Sequence, residues 1–256
     1  AADRTRFQTH GHLAQANGQT PVADVVHRGR QSGLDQIDDA ANLTAGRIEI
    51  EGRHGGAAGL ETGVQEKRTG HLGTAGSDHQ DQIASVPDGA NLGLGCGNPL
   101  ALAALEEGQT VLDLGAGAGF DCFLAVRAVG PQGRVIGVDM TPAMVEHASR
   151  AAREARMADR VEVYRGFYEA LPVDDATVDI VISNGVLNLV PDKQKAFTEI
   201  HRVLKPGGHF CVSDIVLDGE LPGAVADDLL AWVGCVAGAT RRERYFDLLQ
   251  AVGLHD

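Results

Sequence analysis

Apolar and polar residues alternate with two different periods along the second half of the chain. Short aliphatic runs of the length typical of buried strands occur at 110–114, 134–140, 160–167, 178–182 and 209–217. Between them lie stretches with apolar residues three or four positions apart. After Asp192, for example, one helical face carries Ala196, Phe197, Ile200, Val203 and Leu204. Strands that alternate with helices predict an α/β fold with a doubly wound, mostly parallel sheet.

Capping and breaking residues set the expected helix boundaries. The helix at 121–130 should end at Gly130, because Pro131 follows it. Thr141 is the expected N-cap of the next helix, with Pro142 at its first position and an end near residue 157. Asp192 should cap the helix after it, and two further helices are predicted at about 222–234 and 241–252.

The first 80 residues follow neither period. They contain 13 glycines, six histidines and a single aromatic residue, Phe7. Such a segment cannot bury enough apolar surface to offset its ordering entropy. We expect residues 1–82 to be a disordered, low-complexity-like segment or a GC-rich gene read in a shifted frame, and dispensable for binding. Residues 83–256 are the expected folded domain.

Charge and cysteine content exclude several classes of protein. The net charge of −13 and the isoelectric point near 5.1 disfavour a nucleic-acid partner. The sequence has no apolar run of the ~18 residues that a membrane span needs. Its first residues lack the apolar segment of a signal peptide, so we expect a cytoplasmic protein. Four cysteines without a C-x-x-C pair argue against structural zinc.

A glycine-rich turn after the first predicted strand indicates a nucleotide-like ligand. The glycines are Gly115, Gly117 and Gly119, and they open a helix whose N-terminal dipole would favour an anionic group. Asp139, at the end of the second strand, suits two ribose hydroxyls. The pattern alone fits either a dinucleotide or an adenosyl-sulfonium cofactor. The G-x-G-x-G spacing, the preceding Asp113 and the later "LKPGGHF" favour the second.

Several longer motifs resemble one methyltransferase family. "LGLGCGNPLALA", "LDLGAGAGFDCFLA", "SNGVLNLVPDKQKAFTEIHRVLKPGG" and "WVGCVAGA" are similar to the arsenite S-adenosylmethionine methyltransferases over about residues 83–254. The resemblance implies a class I, Rossmann-like methyltransferase fold with S-adenosyl-L-methionine as cofactor. The cofactor-binding residues it implies are Asp113, Gly115, Ala116, Gly117, Gly119, Asp139, Met140 and Asn184.

The same resemblance implies a trivalent arsenical as substrate. It places thiolate ligands for arsenic at Cys96 and Cys235, and a third at the position that Gly185 occupies here. It further implies glutathione or thioredoxin as the thiol source, and we expect a monomer.

The sequence departs from the family in three ways. Gly185 occupies a position where the family has a cysteine. Phe167 occupies a position where the family has an acidic residue that helps to hold adenine. We also expect the family's last two antiparallel strands to be absent, which would leave the strand at 209–217 uncovered. Impaired arsenic methylation is therefore the leading hypothesis. The alternatives are a methyltransferase for another small molecule and a catalytically inactive remnant.

Overall fold

The computed structural model describes residues 45–54, 86–92, 98–217, 219–221, 226–227, 229, 232 and 235–255. Its strands are β1 (Ala45–His54), β2 (Thr110–Leu114), β3 (Arg134–Asp139), β4 (Val161–Arg165), β5 (Val178–Asn184), β6 (Leu204–Leu217), β7 (Thr240–Arg241) and β8 (Leu254–His255). Its helices are α1 (Pro99–Leu102), α2 (Phe120–Ala128), α3 (Pro142–Glu154), α4 (Lys193–Val203) and α5 (Arg242–Ala251).

Most predicted elements are present, with small shifts at their ends. Asp192 caps α4 as expected, because its carboxylate accepts from the Lys195 N–H at 3.0 Å. The Thr141 side chain makes no cap hydrogen bond, although Pro142 does begin α3. The chain becomes extended at Leu204, so β6 starts earlier than predicted. The predicted helix at 222–234 lies mostly outside the described residues.

The strands form a mixed sheet in the order β4-β3-β2-β5-β6-β1-β8, and β7 pairs with β6. Neighbouring strands from β4 to β6 are parallel. Consecutive crossovers run from β2 outward to β4 and then return to the other side of β2 at β5. The direction of winding thus reverses between β2 and β5, and in such sheets ligands bind outside the carboxyl ends of the strands at this point. The predicted doubly wound α/β class is confirmed.

The outer edge of β6 is paired, contrary to expectation. Residues 45–54, placed by the sequence outside the domain, form β1 and pair antiparallel with β6 from Ala45 opposite Leu217 to Arg53 opposite His209. β1 in turn pairs with β8. An antiparallel strand from the N-terminal part of the chain therefore covers the edge. The rest of residues 1–82 lies outside the described residues, so the boundary near residue 82 stays a prediction.

Apolar side chains pack against both faces of the sheet, which explains the nearly continuous apolar runs of its central strands. One layer joins α4 and α5 to the sheet and includes Leu112, Val181, Phe197, Phe210 and Tyr245. The opposite layer joins α2 and α3 and includes Val111, Phe123, Ala151, Ile180 and Cys211. Within the described part of the chain, no helix has the length and hydropathy that a membrane crossing needs.

Candidate active site

The glycine turn after β2 leaves open space above its backbone. Gly115, Gly117 and Gly119 all have positive φ angles, at 78°, 53° and 94°. The Gly115 and Ala116 N–H groups donate to the Val138 carbonyl at 2.8 and 3.2 Å, which fixes the turn against β3. A Cβ atom at Gly117 would have only the Gly115 carbonyl oxygen, at 3.9 Å, within contact range among the described residues. The turn therefore forms a cradle that a ligand can approach closely.

Asp139 holds this cradle from the end of β3. Its side chain is buried, and one carboxylate oxygen accepts from the Gly117 N–H at 2.9 Å while the other accepts from the Thr141 N–H at 2.8 Å. A carboxylate oxygen accepts more than one hydrogen bond. Asp139 therefore orients the turn and retains acceptor capacity, while its bonds to ribose hydroxyls stay a prediction. The cradle and this carboxylate together fit the adenosyl part of S-adenosylmethionine.

Asp113 lies deeper than the sequence suggests. It is 2% exposed and accepts from the Cys122 thiol at 3.2 Å. Burial, reinforced by the negative charge of Asp121, raises the pKa of the Asp113 carboxyl well above its usual range. Burial, reinforced by Asp113, likewise raises the pKa of the Cys122 thiol. Contact between Asp113 and the cofactor's amino-acid end stays a prediction, and Cys122 is unsuited to bind arsenic as a thiolate.

The remaining predicted cofactor residues lie around the same crevice. The Asn184 amide, at the end of β5, donates to the Asp121 carboxylate on α2 at 3.0 Å. Met140 is 45% exposed, and Phe167, which lies outside the predicted cofactor set, is 55% exposed. Both side chains are therefore accessible to a planar ligand such as adenine. The sequence alone does not predict a role for Asp121. Its place in the first turn of α2 was visible, but its contact with β5 required the fold.

Cys235 and Gly185 are adjacent although they are far apart in the chain. The buried Cys235 thiol donates to the Gly185 carbonyl at 2.9 Å. Gly185 has a φ angle of 72°, and its N–H donates to the Ser213 carbonyl of β6 at 2.7 Å. Two of the three positions that the resemblance assigns to arsenic ligands, Gly185 and Cys235, lie among the described residues. The structure places these two in contact. Cys96 lies outside the described residues.

The thiol position adjoins the cofactor cradle. A Cβ atom at Gly115 would come within 2.6 Å of both Cγ atoms of Val186, the residue after Gly185. The Val186 side chain, in the loop after β5, therefore packs directly on the backbone of the glycine turn at Gly115. A methyl donor bound in the cradle and a methyl acceptor bound to the Cys235 sulfur would be neighbours.

Cys235 belongs to an irregular segment, residues 235–239, which we call the thiol segment. Cys235 has a φ angle of 66°, a left-handed backbone that costs a non-glycine residue roughly 1–2 kcal/mol. Gly238 approaches so closely that a Cβ atom there would lie 2.0 Å from the Asn188 carbonyl oxygen. Neighbouring contacts must hold this segment in place, and no local sequence pattern predicts them.

Lys193, at the start of α4, supplies one such contact. Its ammonium donates to the Gly238 carbonyl at 2.8 Å and makes longer bonds to the Val190 and Asn188 carbonyls at 3.3 and 3.4 Å. Burial lowers the pKa of Lys193, while the charges of Asp214 and Cys235 oppose that shift. The motif "NLVPDK" contains this lysine, but the motif alone predicts no partner for it. Its partner Gly238 lies 45 positions away in the chain.

Comparisons with known proteins identify the family of the chain. A family model described as "Methyltransferase domain" matches residues 105–253, more than half of the chain. The chain belongs to this methyltransferase family. The expected methyltransferase class and its cofactor, S-adenosyl-L-methionine, are confirmed, whereas the roles of the glycine turn and Asp139 in binding that cofactor stay predictions.

Individual relatives of this methyltransferase have a narrower description. Over 173 residues it is 51% identical to the arsenite methyltransferase of Halobacterium salinarum, covering 68% of this chain and 44% of that protein. It is 36% identical to the human arsenite methyltransferase over 167 residues, covering 62% of this chain and 44% of the human one. The chain thus spans less than half the length of these relatives.

A solved structure shares both fold and sequence with this methyltransferase. An arsenic(III) S-adenosylmethionine methyltransferase from Chlamydomonas reinhardtii matches with a TM-score of 0.56 and 40% identity, over 62% of this chain and 55% of that one.

Among the residues described here, no cluster of three or more histidine, cysteine or acidic side chains is arranged to hold a metal ion.

Proposed function

We propose that this chain is the methyl-transferring domain of an arsenic methyltransferase. The observation that carries the proposal is the 2.9 Å contact between the Cys235 thiol and the Gly185 carbonyl, next to the cofactor cradle. The family resemblance gives both positions to arsenic ligands, and the fold makes them neighbours. The similarity to arsenite methyltransferases supports the same substrate class.

The chemistry needs few groups from the protein. Trivalent arsenic is a soft centre that prefers thiolates, and thiolate ligands leave its lone pair available. S-adenosylmethionine, when bound, supplies an electrophilic methyl group. Asp139 and the glycine turn would orient the cofactor, while Cys235 and Cys96 would orient arsenic. The contribution of these residues is proximity and alignment, and the transfer itself requires no general acid or base.

Gly185 bears on substrate choice. Arsenite has three exchangeable positions and is best held by three thiolates, whereas methylarsenite already carries one carbon and needs two. The resemblance assigns Cys96 and Cys235 to this purpose, whereas Cys122 and Cys211 pack in the apolar layer that joins α2 and α3 to the sheet. We propose that the activity favours methylarsenite, and that arsenite reacts slowly unless glutathione or another external thiol supplies the third ligand.

Transfer of labelled methyl groups tests the proposal directly. The chain is given labelled S-adenosylmethionine, glutathione and either arsenite or methylarsenite. We expect methylated arsenic from both, with methylarsenite reacting faster, and loss of product in Cys235→Ser. Cys211→Ser is the matched control, because Cys211 is a buried thiol in β6. Unchanged turnover in Cys235→Ser would contradict the proposed role of this thiol.

A further inference from the structure

Lys193 connects the loop after β5 with the thiol segment. Its ammonium bonds the carbonyl of Gly238 in the thiol segment and those of Asn188 and Val190 in the loop. The bond to Gly238, at 2.8 Å, is the shortest of the three. The Asn188 side chain in turn donates to the Ile215 carbonyl of β6 at 2.7 Å, so the loop is itself fixed to the sheet.

The thiol segment depends on contacts of this kind. The N–H of Cys235 donates to the Trp232 carbonyl and that of Ala239 to the Val236 carbonyl, so these two backbone hydrogen bonds of the segment are local turns. Residues with a left-handed backbone persist only where the surroundings hold them, and Cys235 is such a residue. The packing of Gly238 on Asn188 leaves no room for a side chain. Docking on the loop after β5, together with the bond from the Cys235 thiol to the Gly185 carbonyl, therefore sets where the Cys235 sulfur lies.

We propose that Lys193 is a positioning residue, whose ammonium holds the thiol segment on the loop after β5 and thereby keeps the Cys235 sulfur at the carboxyl end of the sheet. Only the identity of the substrate rests on the function proposed above. The placement of the thiol is a property of the protein without any ligand.

Substitution of Lys193 by methionine keeps the aliphatic stem and removes the ammonium. We expect the thiol segment to open more often, so that iodoacetamide labels Cys235 at least ~10-fold faster, as local opening without global unfolding allows. Labelling is read for each cysteine by mass spectrometry. Lys193→Arg retains donors for the carbonyls and should label at close to the unmodified rate.

Controls within the chain separate positioning from general stability. Cys122 and Cys211 are fully buried in the layer that joins α2 to the sheet and report opening of the core. Lys195→Met is the matched variant, because this exposed lysine lies two residues further along α4. Trp232, the single tryptophan, is half-buried beside Gly238, so its emission should shift to the red only in Lys193→Met.

Two results would overturn the proposal. In the first, Cys235 labels at the same rate in Lys193→Met and in the unmodified chain. In the second, Cys122, Cys211 and Cys235 all label faster together, which would mean that Lys193 supports the fold as a whole. Faster labelling of Cys235 alone, reversed in Lys193→Arg, supports it.

A binding measurement separates this inference from the arsenic function. Calorimetry with arsenite should show affinity in the unmodified chain and an affinity ~10-fold lower in Lys193→Met, because a docked thiol segment is preorganised. If the unmodified chain bound no arsenite while Lys193→Met still exposed Cys235 selectively, the arsenic function would fail and the positioning role would stand.

Discussion

Asp139 is the residue on which cofactor affinity should depend most. Its carboxylate holds the Gly117 N–H and lies where ribose hydroxyls are expected. Asp139→Ala should weaken binding of S-adenosylmethionine by about 1.5–3 kcal/mol, the usual worth of a hydrogen bond to a charged group. Calorimetry measures this, with the exposed Asp159→Ala as a control of equal charge change. Equal affinities in the two variants would refute the assignment of Asp139.

Gly185 allows the two-thiolate account to be tested at a single position. Gly185→Cys returns a thiol beside Cys235, so turnover of arsenite should rise relative to methylarsenite, by ~10-fold if the new ligand is well oriented. Gly185→Cys should also lower the stability of the fold by roughly 1–2 kcal/mol, because the φ angle of 72° is a left-handed backbone that disfavours any side chain.

Gly185→Ala is the control for this variant, since it carries the same backbone cost without a thiol. The thermal unfolding temperature, Tm, should fall by a similar amount in both variants. The ratio of arsenite turnover to methylarsenite turnover should change only in Gly185→Cys. The account is wrong if both substrates still turn over and their ratio stays the same in Gly185→Cys.

Among the elements, β1 should contribute to the stability of the fold, which the sequence alone does not predict. It pairs with β6 along its length. A variant lacking residues 1–81 should therefore lose more than about 1 kcal/mol of stability, or about 2–4 °C in Tm for a domain of this size. A variant lacking residues 1–43 keeps β1 and is the control. If the two melted at the same temperature, β1 would contribute nothing to the fold.

The elements differ in how far the sequence predicted them. Burial on both faces produces nearly continuous apolar runs in β2, β3 and β5. These runs predicted the three strands correctly. β1 was missed because "AGRIEIEGRH" lies in a glycine-rich stretch and its pairing partner is far away in the chain. Propensity cannot show which strand edge such a segment covers.

For the whole molecule, local signals were enough for the cofactor cradle but not for the thiol position. The glycine turn, α2 and Asp139 lie within a short stretch of chain, and their geometry follows from strand–turn–helix rules. The contacts of Cys235 with Gly185, and of Lys193 with Gly238, join segments that meet only after β6 and α4 have packed. Lys193 therefore emerged from the structure, whereas Asp139 was named from the sequence.

The pairing of β1 with β6 also affects how the protein is made. Ala45 and its partner Leu217 are about 170 residues apart, and chains are synthesised at about 5–20 residues per second, so β1 leaves the ribosome roughly 10–35 s before its partner. During this interval β1 is a strand without its sheet, and unpaired strands readily bind other chains. Slow translation or high expression should therefore favour aggregation of nascent chains at this segment.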